Sequence, residues 1–211
     1  MGILIDKATE GLRNAGGIAY EVPVVTGAVN LRAVVSTPIK KIGIVHRECL
    51  DNFIAANVSF CKKESIDIIS ISLPNKSSLF KWKIKSALKT LSRNKIDALW
   101  IPNDNLLLQR DNLFDVWIPA ADKLEIPVIV GIETLVDPKL DFGTLAVLPD
   151  HVGLGKQTAD MIYELSGNNW KFKEHQIFPP LAIHKIINLR QAKERFNISD
   201  DKLGIIDKKL E

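Results

Sequence analysis

Asp104 stands at the end of an apolar run, two residues after Pro102 and flanked by Asn103 and Asn105, so that a carboxylate and two amides leave one strand together. That set of groups suits an ammonium ion, with the amides completing its hydrogen bonds. An alternative role for Asp104 or Asn105 is to cap the following helix, which these residue types commonly do. Two further polar points recur in the same way. Asn52 opens a helical pattern after the loop that follows KKIGIV, and Glu133 with Thr134 ends the run PVIVGI. Asn52 would serve equally as a cap and Glu133 as a solvated charge. Backbone amides at the start of a helix would receive a carboxylate through the local positive potential. A carboxylate on one side and helix N-termini on another favour a zwitterion such as an amino acid.

Other chemistries find little support. GLGKQT at Gly153 to Thr158 is similar to a phosphate-binding loop, but Gln157 stands where a hydroxyl is required, and the upstream glycine is Asp150. The expected role of that stretch is a helix start whose glycines allow close packing. No GxGxxG follows a strand, so no cofactor is expected. His46, His151, His175 and His184 lack the i, i+4 spacing of a metal site. There is no GxSxG elbow, and although His46 and Cys49 share a segment, neither cysteine forms a recognisable nucleophile arrangement. Two cysteines make no disulfide framework, and free thiols are expected.

The elements that position these residues follow from hydrophobic patterning. KKIGIVHRE, DIISISLPN, DALWIPNDN and PVIVGIETL are apolar without alternation, as strands covered on both faces of a parallel sheet are. The predicted strands are 41–45, 67–73, 98–101 and 127–132. Helical patterns lie between them, carrying Phe53, Ile54, Ala56, Asn57 and Phe60, then a segment near 79–92 with Ser77 and Ser78 as cap candidates. The third helix reaches Lys123 and carries Leu107, Phe114, Trp117 and Ile118 inward; Pro119 predicts a kink or an early stop. Beyond residue 135 come a short strand in GTLAVLPD, a helix in LGKQTADMIYEL and a strand in HKIINL. Residues 1–37 are less legible: Gly16 and Gly17 interrupt a short helix, and YEVPVVTG reads as extended. The fold class is α/β, a doubly wound, mostly parallel sheet with right-handed crossovers, and the polar strand tips gather at one edge.

A hydrophobic content of 46% over 211 residues supports one large domain or two small lobes. The net charge of +3, from 28 basic and 25 acidic residues, reads as too weak and dispersed for a nucleic-acid partner. No apolar stretch is long enough to span a bilayer, no secretory signal is visible at the N-terminus, and Asp6 argues against myristoylation.

Taken in order from about residue 16 to 207, these segments resemble the substrate-binding proteins of ABC transporters, in the branch with a type-I periplasmic-binding-protein fold that includes aromatic amino-acid binders. IKKIGIVHRECLDN resembles the start of the second lobe, with Asn52 at the family's asparagine and Phe53 in place of a serine. IPNDN is similar to the family's Pro-Thr-Asp-Asn tip, with Asp104 retained and Asn103 replacing threonine. VIVGIETLV matches one acidic position through Glu133, and FGTLAVLPDHVGLGKQTADMIYEL and PP…IINLRQAKERFNI resemble the closing segments. GGIAYEVPV resembles the end of the first lobe, most of which is missing here.

The resemblance implies a non-enzymatic solute-binding component of an uptake system that takes a small amino-acid-like zwitterion at an inter-lobe cleft. Asp104 would meet the ammonium, Asn103 and Asn52 would add polar contacts, and Glu133 would line the cleft mouth. It further implies an ABC permease as partner, a periplasmic or extracytoplasmic location, and a truncated or degenerate form. Residues 1–38 would be a lobe-one remnant, 39–135 lobe two, 136–180 a partial lobe-one strand and helix, and 181–211 the return to lobe two. The strand near 145 would then lack its neighbours, and a homo-oligomer would cover the incomplete lobe. A cytoplasmic ligand-sensing module of the same fold and a doubly wound enzyme are the competing expectations.

Overall fold

The computed structural model describes Thr9, residues 11–172 and residues 176–211; His175 and the residues bearing on processing or myristoylation lie outside them. One seven-stranded sheet organises the chain. Its strands are β2 (Lys41–Arg47), β3 (Asp67–Leu73), β4 (Ala98–Ile101), β5 (Val128–Val130), β6 (Leu145–Pro149), β8 (Ile183–Asn188) and β9 (Lys208–Leu210), in the order β3-β2-β4-β5-β6-β8-β9. All neighbours are parallel except β6 and β8. A separate parallel pair joins β1 (Gly16–Ile18) to β7 (Gln176–Phe178).

The expected class, a doubly wound and mostly parallel α/β sheet, is what the chain forms. Helices α1 (Val24–Val34) and α2 (Asp51–Lys63) bury Val24, Ala28, Leu31, Ile54 and Cys61 against one face of the sheet. Helices α3 (Phe80–Arg93) and α4 cover the other with Phe80, Ile84, Leu88, Leu91, Val116 and Trp117. Helix α4 runs without a break through Arg110–Asn112, a π-helical turn at Leu113–Trp117, and Ile118–Leu124. Proline has no N–H to give the carbonyl four residues back, and Pro119 does not stop the helix but is preceded by a widened turn. No described helix is long and apolar enough to cross a membrane.

Several local expectations are corrected. The YEVPVVTG stretch is not extended throughout, because Pro23 leads directly into α1. Its valines, threonine and glycine are poor helix formers, and the burial of Val24, Ala28, Leu31 and Val34 outweighs that preference. Phe60 and Phe114, expected inside, are exposed, while Cys61 takes the core position on α2. His46 belongs to β2 and not to a loop. The strand near 145 is paired on both edges, with β5 and with β8, and Leu145, Ala146 and Val147 are buried on both faces. Helix α1 likewise packs on the large sheet. What stands off it is β1, β7 and helix α5 (His151–Gly167), which buries none of its residues. GLGKQT is the body of this helix, capped by the Asp150 carboxylate accepting from the Val152 N–H at 3.0 Å. A Cβ at Gly153 would come within 2.5 Å of the Ala182 Cβ, so the glycine serves close packing.

Both cysteines are free thiols. Burial pushes the Cys61 thiol up from 9.0 to about 11. Above pH 9.0 the unfolded chain releases a proton that the folded chain retains, so this contribution to stability is fully present below 9.0 and is lost as the pH rises through about 11. At about pH 8, an aromatic disulfide reagent is expected to titrate Cys49 rapidly and Cys61 only after denaturation, because the thiolate is the reactive form. Two rapid equivalents in the native protein would contradict this.

Candidate functional site

Because β2, β3, β4 and β5 are parallel, their C-terminal ends lie along one edge of the sheet. The connection from β2 leads outward to β3, whereas β4 and β5 lie on the other side of β2. The order therefore reverses between β2 and β4, and helices leave on opposite faces there, opening a crevice at the strand ends. Arg47 ends β2, and Asp104 follows β4 by three residues. The two meet at this reversal.

The Arg47 Nε donates to the Asp104 Oδ2 at 2.6 Å, and the side chains are 19% and 2% exposed. The other Asp104 oxygen accepts the backbone N–H groups of Leu106 and Leu107 at 2.9 and 3.1 Å. Both oxygens of this carboxylate are thus engaged within the chain, and the group is not left open at the crevice. Three N–H groups already converge on it inside the protein, so it caps the 104–108 turn and orients a guanidinium. The turn is itself tied down: the Trp117 Nε1 donates to the Leu107 carbonyl at 2.9 Å, and the Asn112 Nδ2 to the Leu106 carbonyl at 3.0 Å.

Arg47 is held from a second side, where its Nη1 donates to the Asn75 carbonyl at 2.9 Å. The Asn75 Oδ1 accepts from the Cys49 N–H at 2.8 Å, joining the tips of β2 and β3. The remaining guanidinium nitrogen, Nη2, has no hydrogen bond among the described residues. A fork fixed at Nε and Nη1 with Nη2 left over presents a preoriented cation to an anionic group. Neither Arg47 nor Asn75 is singled out by sequence reasoning. The available signal was their place at strand ends equivalent to that of Asp104.

Asn103 sits on the β5 side of the crevice. Its Nδ2 makes a long 3.4 Å hydrogen bond to the Gly131 carbonyl, and its Oδ1 is buried without a hydrogen-bond partner among the described residues. A Cβ at Gly131 would lie 2.6 Å from that oxygen, so only glycine lets the amide lie flat against the chain. Tyr20, Val22, Trp100 and Val147 enclose a cleft of about 10 Å³ beside it, room for one water at most. Asn52 is exposed in the first turn of α2 and makes no hydrogen bond to Asp104 or Asn103. Glu133 leans away across β6 and β8 to accept from the Lys208 Nζ of β9 at 2.6 Å. Of the four expected residues, Asn103 and Asp104 leave the tip of β4 together, and neither Asn52 nor Glu133 makes a hydrogen bond to them among the described residues.

The three described histidines are not brought together. The His46 ring is buried, with Nδ1 3.2 Å from the Arg47 carbonyl and 3.4 Å from an Asp51 oxygen. The His151 Nε2 lies 3.0 Å from the Tyr20 hydroxyl, and the His184 Nδ1 is 4.0 Å from Asp207. Among the described residues no cluster of His, Cys, Asp and Glu has metal-ligand geometry.

Neither a protein-family model nor a curated protein sequence matches the chain significantly. Solved structures do match in fold. A substrate binding protein with adhesive properties from Clostridium difficile, in its ligand-free, open form, aligns with 98% of this chain and 69% of its own, at 17% identity and a TM-score of 0.63. A periplasmic ribose ABC transporter protein from Conexibacter woesei aligns over 85% of this chain and 61% of its own, at 11% identity and a TM-score of 0.46, too loosely to bear on function. The chain spans about two thirds of the length of these proteins. Its architecture is that of a type-I periplasmic-binding-protein-like fold.

Proposed function

We propose that this chain is the solute-binding component of an ABC-type uptake system, acting outside the cytoplasm by reversible binding without chemistry. The observation that carries the reading is the position of the Arg47–Asp104 pair, a preoriented and partly exposed cation at the point where strand order reverses. The ligand is a small zwitterion of the amino-acid type, with aromatic amino acids as the first candidates. Its carboxylate meets the free Nη2 of Arg47, and its ammonium meets the unpaired Oδ1 of Asn103 once the rim opens. Asp104 acts through Arg47. Asn52 adds a polar contact at the mouth, and Glu133 with its partner Lys208 borders the outer rim.

The sheet forms one wall of a cleft, and a wall alone buries about half of a small ligand where an enclosed pocket buries about 70–90%. The chain therefore binds weakly, with Kd on the order of 1 mM, unless a second copy or further protein closes over the crevice. Exposed Ile162, Tyr163, Phe178 and Leu181 around α5 and β7 offer the surface for that closure. Isothermal titration with phenylalanine, tyrosine and leucine, with the oligomeric state read by light scattering in the same buffer, tests this. Saturable binding is expected, lost on Arg47→Ala. Equal binding by that variant, or none to any zwitterion, would refute the reading.

A further inference from the structure

The positive charge of this chain is concentrated on one flank, contrary to the even dispersal expected from the totals. Residues 68–96 contain Lys76, Lys81, Lys83, Lys85, Lys89, Arg93 and Lys95 and no carboxylate, so the remainder, with 21 basic and 25 acidic residues, is net negative. Summing over 211 residues concealed a segment of one sign. Lys81 is paired with Asp115 of α4, whereas the other six have no ion pair among the described residues. They line the outside of α3 and its flanking turns at one end of the sheet, beside the edge strand β3.

Two large apolar side chains stand in the same segment, Leu79 at 59% and Trp82 at 66% exposure. Between α3 and α4 runs a groove of about 500 Å³ with Leu88, Val116 and Pro119 on its floor and Lys85, Lys89 and Lys123 on its rim. The opposite side of α3 is committed to the core through Phe80, Ile84, Leu88 and Leu91, so the helix cannot leave to insert. We propose that this flank docks the protein on the surface of an anionic lipid bilayer, with the cations at the headgroup phosphates and Trp82 and Leu79 at the boundary with the acyl chains.

Each feature selects this occupant. Juxtaposed lysines attract an anionic surface, and a tryptophan prefers the headgroup level. A second copy presenting the same flank would bring six unpaired cations against six others, which like-charge repulsion opposes. A nucleic-acid backbone would satisfy the lysines but offers nothing apolar to Leu79. None of these lysines, Arg93, Leu79 or Trp82 belongs to the crevice.

Sedimentation with vesicles of phosphatidylcholine alone, or with about 30 mol% phosphatidylglycerol, tests it. Binding is expected only to the anionic vesicles and is released by about 0.5 M salt. At about fivefold per cation, the combined variant Lys85→Gln, Lys89→Gln, Arg93→Gln should weaken partitioning on the order of 100-fold. Neutralising Lys41, Lys62 and Lys63 instead removes the same net charge elsewhere and should change it only several-fold. All six residues are exposed, so both variants keep the fold. No binding to anionic vesicles, equal losses in the two variants, or tighter binding to a DNA duplex at the same salt would each overturn the proposal.

Discussion

Asp104→Ala is expected to lower the free energy of unfolding by about 3–5 kcal/mol, the usual effect of removing one partner from a buried ion pair. The carboxylate is 2% exposed, and its loss leaves the Arg47 guanidinium with no anion and the Leu106 and Leu107 N–H groups without their acceptor. Chemical denaturation monitored by circular dichroism reads the change as a lower midpoint at constant slope. Arg47→Met added to Asp104→Ala should recover part of the loss, because the uncompensated charge is then gone while the uncapped turn remains. If Asp104→Ala costs less than about 1 kcal/mol, the pair is a solvated surface contact, and the account of a fixed guanidinium fails with it. The same variant separates stability from binding: a folded Asp104→Ala protein that still binds the ligand would show that Arg47 is oriented by Asn75 alone.

Trp117→Ala is expected to have a comparable effect by another route. Trp117 is fully buried in the π-helical turn of α4, and truncating a buried aromatic to alanine costs about 3–5 kcal/mol through lost burial and the cavity left behind. Its indole N–H also holds the Leu107 carbonyl at 2.9 Å, so the turn carrying Asp104 loses an anchor. Hydrogen exchange should therefore rise at Leu106 and Leu107, whose N–H groups bond the Asp104 carboxylate, more than in α2 on the other face of the sheet. Trp117→Phe keeps most of the volume and removes the donor. It should restore much of the stability while leaving the faster local exchange, and uniform protection across the turn in that variant would show that the hydrogen bond does not position the site.

Much of the scaffold was legible because its signals are local. The boundaries 67–73 and 98–101 follow from isoleucine- and leucine-rich runs ended by polar residues, and the structure reproduces both. Their common direction follows from the intervening helices, since a parallel crossover needs one. Where local and tertiary preferences conflict, local reading fails. Helix α1 forms from a poor helix-forming sequence because its apolar stripe is buried on the sheet, and Phe60 and Phe114 leave the core positions to Cys61, Leu113 and Trp117.

The sequence by itself determined that this chain is an α/β protein with a mostly parallel sheet whose first four long strands end in polar tips along one edge, with Asn103 and Asp104 among them. Only the tertiary structure decided what those tips do. The lateral order β3-β2-β4-β5 brings Arg47 beside Asp104, 57 residues away, and sends Glu133 to Lys208, 75 residues away. Strand periodicity specifies which face a side chain takes but carries no record of which strand lies alongside. An isolated carboxylate in the sequence thus becomes, on folding, the buried anchor of a cation.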